Sequence, residues 1–88
     1  MMLVSYDLRR PGQDYDSLYS MLKTVEFCRP LESLWLLDSN QSAQTWSDRL
    51  LPLIDTNDRL LVVDVTSDPM KGWLDRSVWD WIKSRVRV

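Results

Sequence analysis

An acidic side chain ends the first apolar run of this 88-residue sequence, just before two arginines. The run Met2–Asp7 predicts a β-strand, which puts Asp7 at the C-terminal tip, where a sheet meets solvent. Arg9 and Arg10 follow, and Pro11–Gly12 breaks the strand. A carboxylate can hold a hard divalent cation such as Mg²⁺, and a guanidinium can grip a phosphate group. These residues could therefore support metal-assisted chemistry at a phosphate.

Composition excludes several other chemistries. The chain has no histidine and a single cysteine, Cys28, so His-based acid/base catalysis, an internal disulfide and a zinc cluster are all excluded. With 11 basic and 13 acidic residues the net charge is −2, which does not favour binding through the phosphate backbone alone. The sequence shows no signal peptide and no 18-residue apolar run, so we expect a cytoplasmic protein without a membrane partner.

The remaining sequence predicts the elements that must position Asp7. We expect one domain over residues 1–88, with a core over residues 1–66 and a loop and C-terminal helix over residues 67–88. Apolar spacing and breakers predict, in order, a helix from Asp14 or Asp16 to near Val25, a short strand Phe27–Leu31, a strand Ser33–Asp38, a helix carrying Trp46, Leu50, Leu53 and Ile54, a strand Arg59–Val65 and a last helix that starts after Asp75.

This order predicts an α+β fold of the ferredoxin-like βαββαβ type, with an antiparallel sheet, two helices on one face and an extra C-terminal helix. We expect the strand ending at Asp38 to run parallel to the first strand and the strand after Asp58 to run antiparallel. Asp7, Asp38 and Asp58 would then meet at one end of the sheet and hold a divalent cation. The alternative is structural, since aspartate at a strand end is a common turn former and Arg9–Arg10 can be a solvated pair.

Two helices on one face leave the other face of the sheet to be covered. Either the C-terminal helix or a second subunit must cover it, which predicts a homodimer. The chain has five tryptophans, more than a thin monomer core requires. Trp73 and Trp79 are predicted at the interface, and Trp79 lies about 100° around the helix from Val78, so we expect it to point away from that helix's own core contact.

Three segments resemble the small ferredoxin-like CRISPR-associated proteins of the spacer-acquisition complex, a group that shares its architecture with the VapD toxins. Leu3–Asp7 is similar to their first strand, which ends in Tyr-Asp. Glu32–Trp35 is similar to their central strand, and Leu53–Asp58 to the end of their second helix. This resemblance covers residues 2–65.

Nearly the whole chain resembles a group of small, mostly uncharacterised bacterial relatives described as SinR-like. Those proteins carry a Tyr-Asp-Leu start, a Pro-Gly-Gln-Asp-Tyr segment and a Trp-Asp-Trp near the end. The corresponding segments here are Tyr6–Leu8, Pro11–Tyr15 and Trp79–Trp81. The cross-dimer last strand of the CRISPR-associated group has no counterpart after Val65, where a Trp-rich helix follows instead.

The resemblance implies a homodimer with Asp7 of each subunit near the interface. In catalytic members of that superfamily the matching aspartate binds a divalent metal and supports phosphodiester cleavage. It implies Asp7 as the Mg²⁺ ligand. From the residues themselves, we predict Asp7, Tyr6, Arg9 and Arg10 as the catalytic residues. Ser33 and Trp35 match positions that line the same groove.

Two functions follow from these observations. The first is a metal-dependent endonuclease that acts on RNA or DNA as a homodimer through Asp7. The second is a non-catalytic dimeric scaffold of the same fold that binds nucleic acid or protein. Residue matches favour the first, and the acidic net charge favours the second.

Overall fold

The computed structural model describes residues 1–9, 14–66 and 68–85, which form one α+β unit with an antiparallel sheet. The elements, in chain order, are β1 Met2–Asp7, α1 Asp16–Leu22, β2 Phe27–Leu31, β3 Leu34–Leu37, α2 Ala43–Leu50, a 3-10 turn Leu51–Leu53, β4 Arg59–Asp64 and α3 Arg76–Arg85. The helices of the described chain are all too short and too polar to span a lipid bilayer.

The sheet has the strand order β2-β3-β1-β4, and every neighbouring pair is antiparallel. The prediction that the strand ending at Asp38 runs parallel to β1 is wrong. β2 and β3 are joined by the two-residue turn Glu32–Ser33, so the chain reverses there and β3 runs against β1. Met2 is opposite Leu37, which puts Asp38 at the start of β1 rather than at its tip.

Alternation along β1 defines the two faces of the sheet. Met2, Val4 and Tyr6 are buried on one face, whereas Asp7 is exposed on the other. α1 and α2 cover the buried face, as predicted. The core between sheet and helices contains Met2, Val4, Tyr6, Tyr15, Leu18, Leu22, Trp35, Leu37, Trp46 and Leu50.

Local signals in the sequence start and stop these two helices. The Asp14 carboxylate accepts a 2.8 Å hydrogen bond from the Asp16 amide before α1. α1 ends at Leu22 rather than near Val25, because the Thr24 amide and hydroxyl both turn back to the Met21 carbonyl. The ends of α1 are therefore fixed by short side chains that bond to nearby backbone.

The second helix has a side-chain cap and a proline stop. The Ser42 hydroxyl accepts a 3.1 Å hydrogen bond from the Thr45 amide at the first turn of α2. Pro52, which has no N–H to donate, lies in the 3-10 turn that follows Leu50. Trp46 and Leu50 are four residues apart and both are buried in the core.

α3 covers part of the opposite face of the sheet. Leu36 of β3 and Ile82 of α3 are the buried centre of this second cluster. Trp79 packs against it, so the expectation that Trp79 points away from the core is wrong. The physical reason is that Trp79 lies three residues before Ile82 and shares its helix face. Leu61 of β4 stays 59% exposed, because α3 contacts the β2 side of the sheet.

Candidate functional site

Asp7 lies at the C-terminal tip of β1, as the sequence predicts, and its side chain is exposed on the face opposite α1 and α2. Its side chain is 60% exposed, and its Oδ2 accepts a 2.8 Å hydrogen bond from Nε of Arg9. Asp7 lines a shallow depression of about 200 Å³ together with Ser5, Arg59 and Leu61. An exposed ion pair of this kind contributes little to stability.

Two guanidinium groups come from the elements beside Asp7. Arg9 follows β1 directly, and Arg59 is opposite Asp7 in the β1–β4 register. Arg59 Nη1 donates to the carbonyls of Asn57 and Asp58, at 3.3 and 3.0 Å. Of the described residues at the tip of β1, Arg9 and Arg59 are positively charged and Asp7 is the exposed carboxylate. Arg10, predicted as a further member, lies outside the described residues.

Asp58 is at the same end of the sheet as Asp7, but it is buried and serves the fold. Its carboxylate accepts hydrogen bonds from the Arg9 amide at 2.7 Å, from the Tyr15 hydroxyl at 2.8 Å and from the Asp55 amide at 2.8 Å. Burial raises the pKa of Asp58, but these hydrogen bonds to the ionised form outweigh it and the pKa lies below its usual value. Both oxygens are thereby engaged, so the geometry does not support the predicted metal-ligand role.

Asp38 does not join the site, and its predicted metal-ligand role there is wrong. Since β3 is antiparallel to β1, Asp38 lies at the opposite end of the sheet from Asp7. Its Oδ2 accepts a 3.2 Å hydrogen bond from Nε of Arg85, at the end of α3. Asp38 therefore links α3 to the sheet.

Tyr6 is next to Asp7 in sequence but points to the opposite face. Its ring is buried in the core, and its hydroxyl accepts a 3.0 Å hydrogen bond from the indole of Trp35 and donates one of 3.2 Å to the Glu32 carbonyl. Successive side chains of a strand alternate between faces, so the Tyr6 ring lies on the face opposite the Asp7 carboxylate, although both residues line the depression at the tip of β1. The predicted catalytic role of Tyr6 is not compatible with this arrangement.

Ser33 and Trp35 do not line a groove with Asp7. Trp35 is buried, with its ring stacked at 6.3 Å on Tyr19 and tilted at 5.0 Å from Phe27. Ser33 is exposed in the β2–β3 turn, where its carbonyl accepts from the Tyr6 amide at 3.1 Å. Trp35 therefore belongs to the core, and Ser33 belongs to the turn between β2 and β3.

Sequence reasoning did not predict that an arginine side chain covers the rings of Trp35 and Tyr19. The Arg29 guanidinium lies 4.9 Å from the ring of Trp35 and 5.5 Å from that of Tyr19. Its Nε donates a 2.8 Å hydrogen bond to the Glu32 carbonyl. The sequence did indicate that Arg29 lies beside an aromatic side chain, because Phe27 and Arg29 are two residues apart on a strand and must share a face.

The described residues contain no group of three or more Asp, Glu or Cys side chains arranged to hold a metal ion. Of the three predicted ligands Asp7, Asp38 and Asp58, only Asp7 is thus exposed at this end of the sheet within one chain. Cys28 lies partly buried on the α3 side of the sheet, and burial raises the pKa of its thiol. This environment fits a small packing residue rather than a nucleophile.

The two predicted interface tryptophans differ in their surroundings. Trp79 packs within its own chain against the Leu36–Ile82 cluster. Trp73, in the segment before α3, is fully exposed. No protein-family model matches this chain, and no solved structure shows significant similarity to it.

Proposed function

We propose that this chain is a non-catalytic, homodimeric protein-binding scaffold with a ferredoxin-like βαββαβ core. Its two copies associate through the outer edge and the uncovered face of β4. The strand order β2-β3-β1-β4 and the βαββαβ element order before α3 support the fold assignment. The net charge of −2 favours a protein partner over a nucleic acid. The observation that carries the proposal is the contrast between the two edge strands.

The β2 edge is protected against strand addition. Pro30 lies inside this strand and cannot donate a hydrogen bond, and the register is irregular between Cys28 and Leu31. Proline and irregular register are devices by which proteins block pairing at a sheet edge. The β4 edge has neither, since all six of its residues pair with β1 in one continuous register.

Alternate residues of β4 direct their backbone N–H and C=O groups outward from the edge of the sheet. Ser5 is opposite Leu61, and the neighbouring amide of Tyr6 bonds on the β3 side of β1. By the alternation of an antiparallel ladder, Leu60 and Val62 then direct their N–H and C=O groups outward. A second β4 strand could pair with these groups around a two-fold axis.

Apolar side chains accompany this edge. Leu61 and Val63 point to the face that α3 leaves uncovered, and they are 59% and 36% exposed. Burial of both in a dimer adds a hydrophobic contribution to the backbone pairing. This surface is therefore suited to contact a second copy.

Sedimentation equilibrium tests the proposal. We expect a wild-type dimer that a Leu61→Lys variant converts to monomer, because two like charges would face each other near the axis. Leu31→Lys is the matched control, since Leu31 is 54% exposed on the protected edge. A monomeric wild type, or equal weakening by both variants, would contradict the proposal.

A metal-dependent endonuclease is the second candidate, favoured by the exposure of Asp7 between Arg9 and Arg59. Mg²⁺ is often held by one or two carboxylates and several waters, and the exposed carboxylate of Asp7 can supply one such ligand. When bound, the ion would activate water and neutralise phosphate charge. Arg9 and Arg59 would orient the phosphate.

Cleavage of single-stranded RNA and DNA with and without Mg²⁺ tests this candidate. Cleavage that is lost in Asp7→Asn and kept in the exposed control Asp80→Asn supports the nuclease. If neither nucleic acid is cleaved, or if Asp7→Asn cleaves like wild type, Asp7 has no catalytic role and the scaffold stands alone.

A further inference from the structure

A groove crosses the face of the sheet that carries α3. It consists of two adjoining depressions of about 450 and 350 Å³, which share Met70, Lys71, Gly72, Trp79 and Ile82. Its walls are α3 on one side and the segment 68–74 on the other. Gly72 leaves one wall open, since a Cβ added there would meet nothing within 4 Å. This volume is in the range of sites that hold small organic molecules.

The interior of the groove is apolar. Leu3, Leu34 and Leu36 of the sheet line one depression, and Trp79 and Ile82 of α3 line both. Such a surface favours hydrocarbon over water. The ligand must therefore present an apolar body to the sheet and α3.

Charged groups are placed where the groove meets solvent. Lys71 and Lys83 line it from opposite walls, and Asp68 is the acidic residue beside them. Both lysines are exposed, so the described residues that line this depression carry one more positive than negative charge, in a protein of net charge −2. A local positive excess above an apolar floor is complementary to an anion with a hydrocarbon tail.

We infer that this groove binds a small carboxylic acid with an aliphatic chain. The chain lies on Trp79 and Ile82, and the carboxylate contacts Lys71 and Lys83. The lysines act as point charges that tolerate a simple carboxylate, and their long stems extend the apolar wall. This inference is independent of the dimer, because the groove belongs to one chain and lies on the β2 side of the sheet.

Octanoate is the probe, and octylammonium is the probe of opposite charge with the same chain. The indole N–H signals in a ¹H–¹⁵N spectrum report the position of binding. Trp73 and Trp79 line the groove, whereas Trp35 and Trp46 are buried on the other side of the sheet. We expect octanoate to shift the first pair and leave the second pair in place.

Charge variants test the role of the lysines. In Lys71→Glu/Lys83→Glu we expect the octanoate affinity to fall by roughly tenfold, about 1.4 kcal/mol, and the preference to turn towards octylammonium. Lys23→Glu, an exposed lysine after α1, is the matched control and should bind octanoate like wild type. The inference is overturned if octanoate shifts no groove tryptophan, if it shifts all four alike, or if octylammonium binds the wild type equally well.

Discussion

The Tyr15 hydroxyl donates a 2.8 Å hydrogen bond to Oδ2 of Asp58, 43 residues further along the chain. The same carboxylate accepts the Arg9 and Asp55 amides. One buried acid therefore joins the end of β1, the start of α1 and the turn before β4. This places Asp58 among the residues that hold the fold together at the site end of the sheet.

Tyr15→Phe removes one bond from this junction while the ring still fills the core. We expect the melting temperature to fall by roughly 4–8 °C, the shift that a loss of about 1 kcal/mol causes in a domain of this size. Thermal unfolding followed by circular dichroism measures it. Tyr19→Phe, at a partly buried position within α1, should have a smaller effect. An unchanged melting temperature in Tyr15→Phe would show that the junction is not structural.

The lowered pKa of Asp58 makes stability depend on pH in the acid range. Its folded-state pKa is below the unfolded value of about 3.9, so its contribution is present above that pH and is lost as pH falls through the folded pKa. Hydrogen bonds from Thr66 lower the pKa of Asp64 in the same direction. We expect the free energy of unfolding to decrease below about pH 4.

The Asp58→Asn variant distinguishes the effect of Asp58 on the pH dependence of stability from that of Asp64, because the Asp64 contribution remains in this variant. Urea unfolding between pH 2.5 and 6 should show a shallower pH dependence for Asp58→Asn than for wild type. Parallel curves for the two proteins would mean that Asp58 is not a source of the acid sensitivity.

Arg29 covers the ring of Trp35, and its removal should expose that indole. We expect Arg29→Ala to lose about 0.5–1 kcal/mol of stability, the usual size of an exposed cation–π contact. Acrylamide quenching of tryptophan fluorescence should increase in the same variant. Arg76→Ala, an exposed arginine at the start of α3, is the control and should behave like wild type. Equal quenching in both variants would show that Arg29 does not shield the indole of Trp35 from solvent.

Trp79 and Trp73 should respond differently to truncation. Trp79→Ala leaves a gap against the Leu36–Ile82 cluster, so we expect a loss of stability of roughly 2–3 kcal/mol for this partly buried ring. Trp73→Ala should leave the free energy of unfolding unchanged, since this side chain is fully exposed. Denaturant unfolding of both variants decides the matter, and equal losses would contradict the packing described for α3.

Most elements could be read from local sequence signals. The apolar runs of β1, β3 and β4 and the short strand Phe27–Leu31 were predicted within a residue or two. Ser42, a short hydroxyl residue just before the apolar helical spacing, caps α2. These features depend on near neighbours in the chain, which is why sequence alone indicates them.

The predicted cluster of Asp7, Asp38 and Asp58 does not form, because the positions of these residues depend on parts of the chain that are distant in sequence. Asp38 was misplaced because the direction of β3 depends on the β2–β3 turn. The role of Asp58 depends on Tyr15, 43 residues away, and no local spacing connects the two. Tyr6 is a different case, since the two-residue period of a strand already separates it from Asp7. The alternation of side chains along the strand therefore indicated that Tyr6 and Asp7 lie on different faces, even though both belong to the matched Tyr-Asp motif.

The most direct test of the scaffold proposal is amide hydrogen exchange at β4, measured by NMR across a range of protein concentrations. Leu60 and Val62 direct their N–H groups outward, so these amides should exchange rapidly in dilute monomer and slowly in concentrated dimer. Leu61, whose N–H points to β1, should be protected at both concentrations. If Leu60 and Val62 exchange rapidly even where the protein is dimeric, or if no dimer forms, two copies do not meet through the β4 edge.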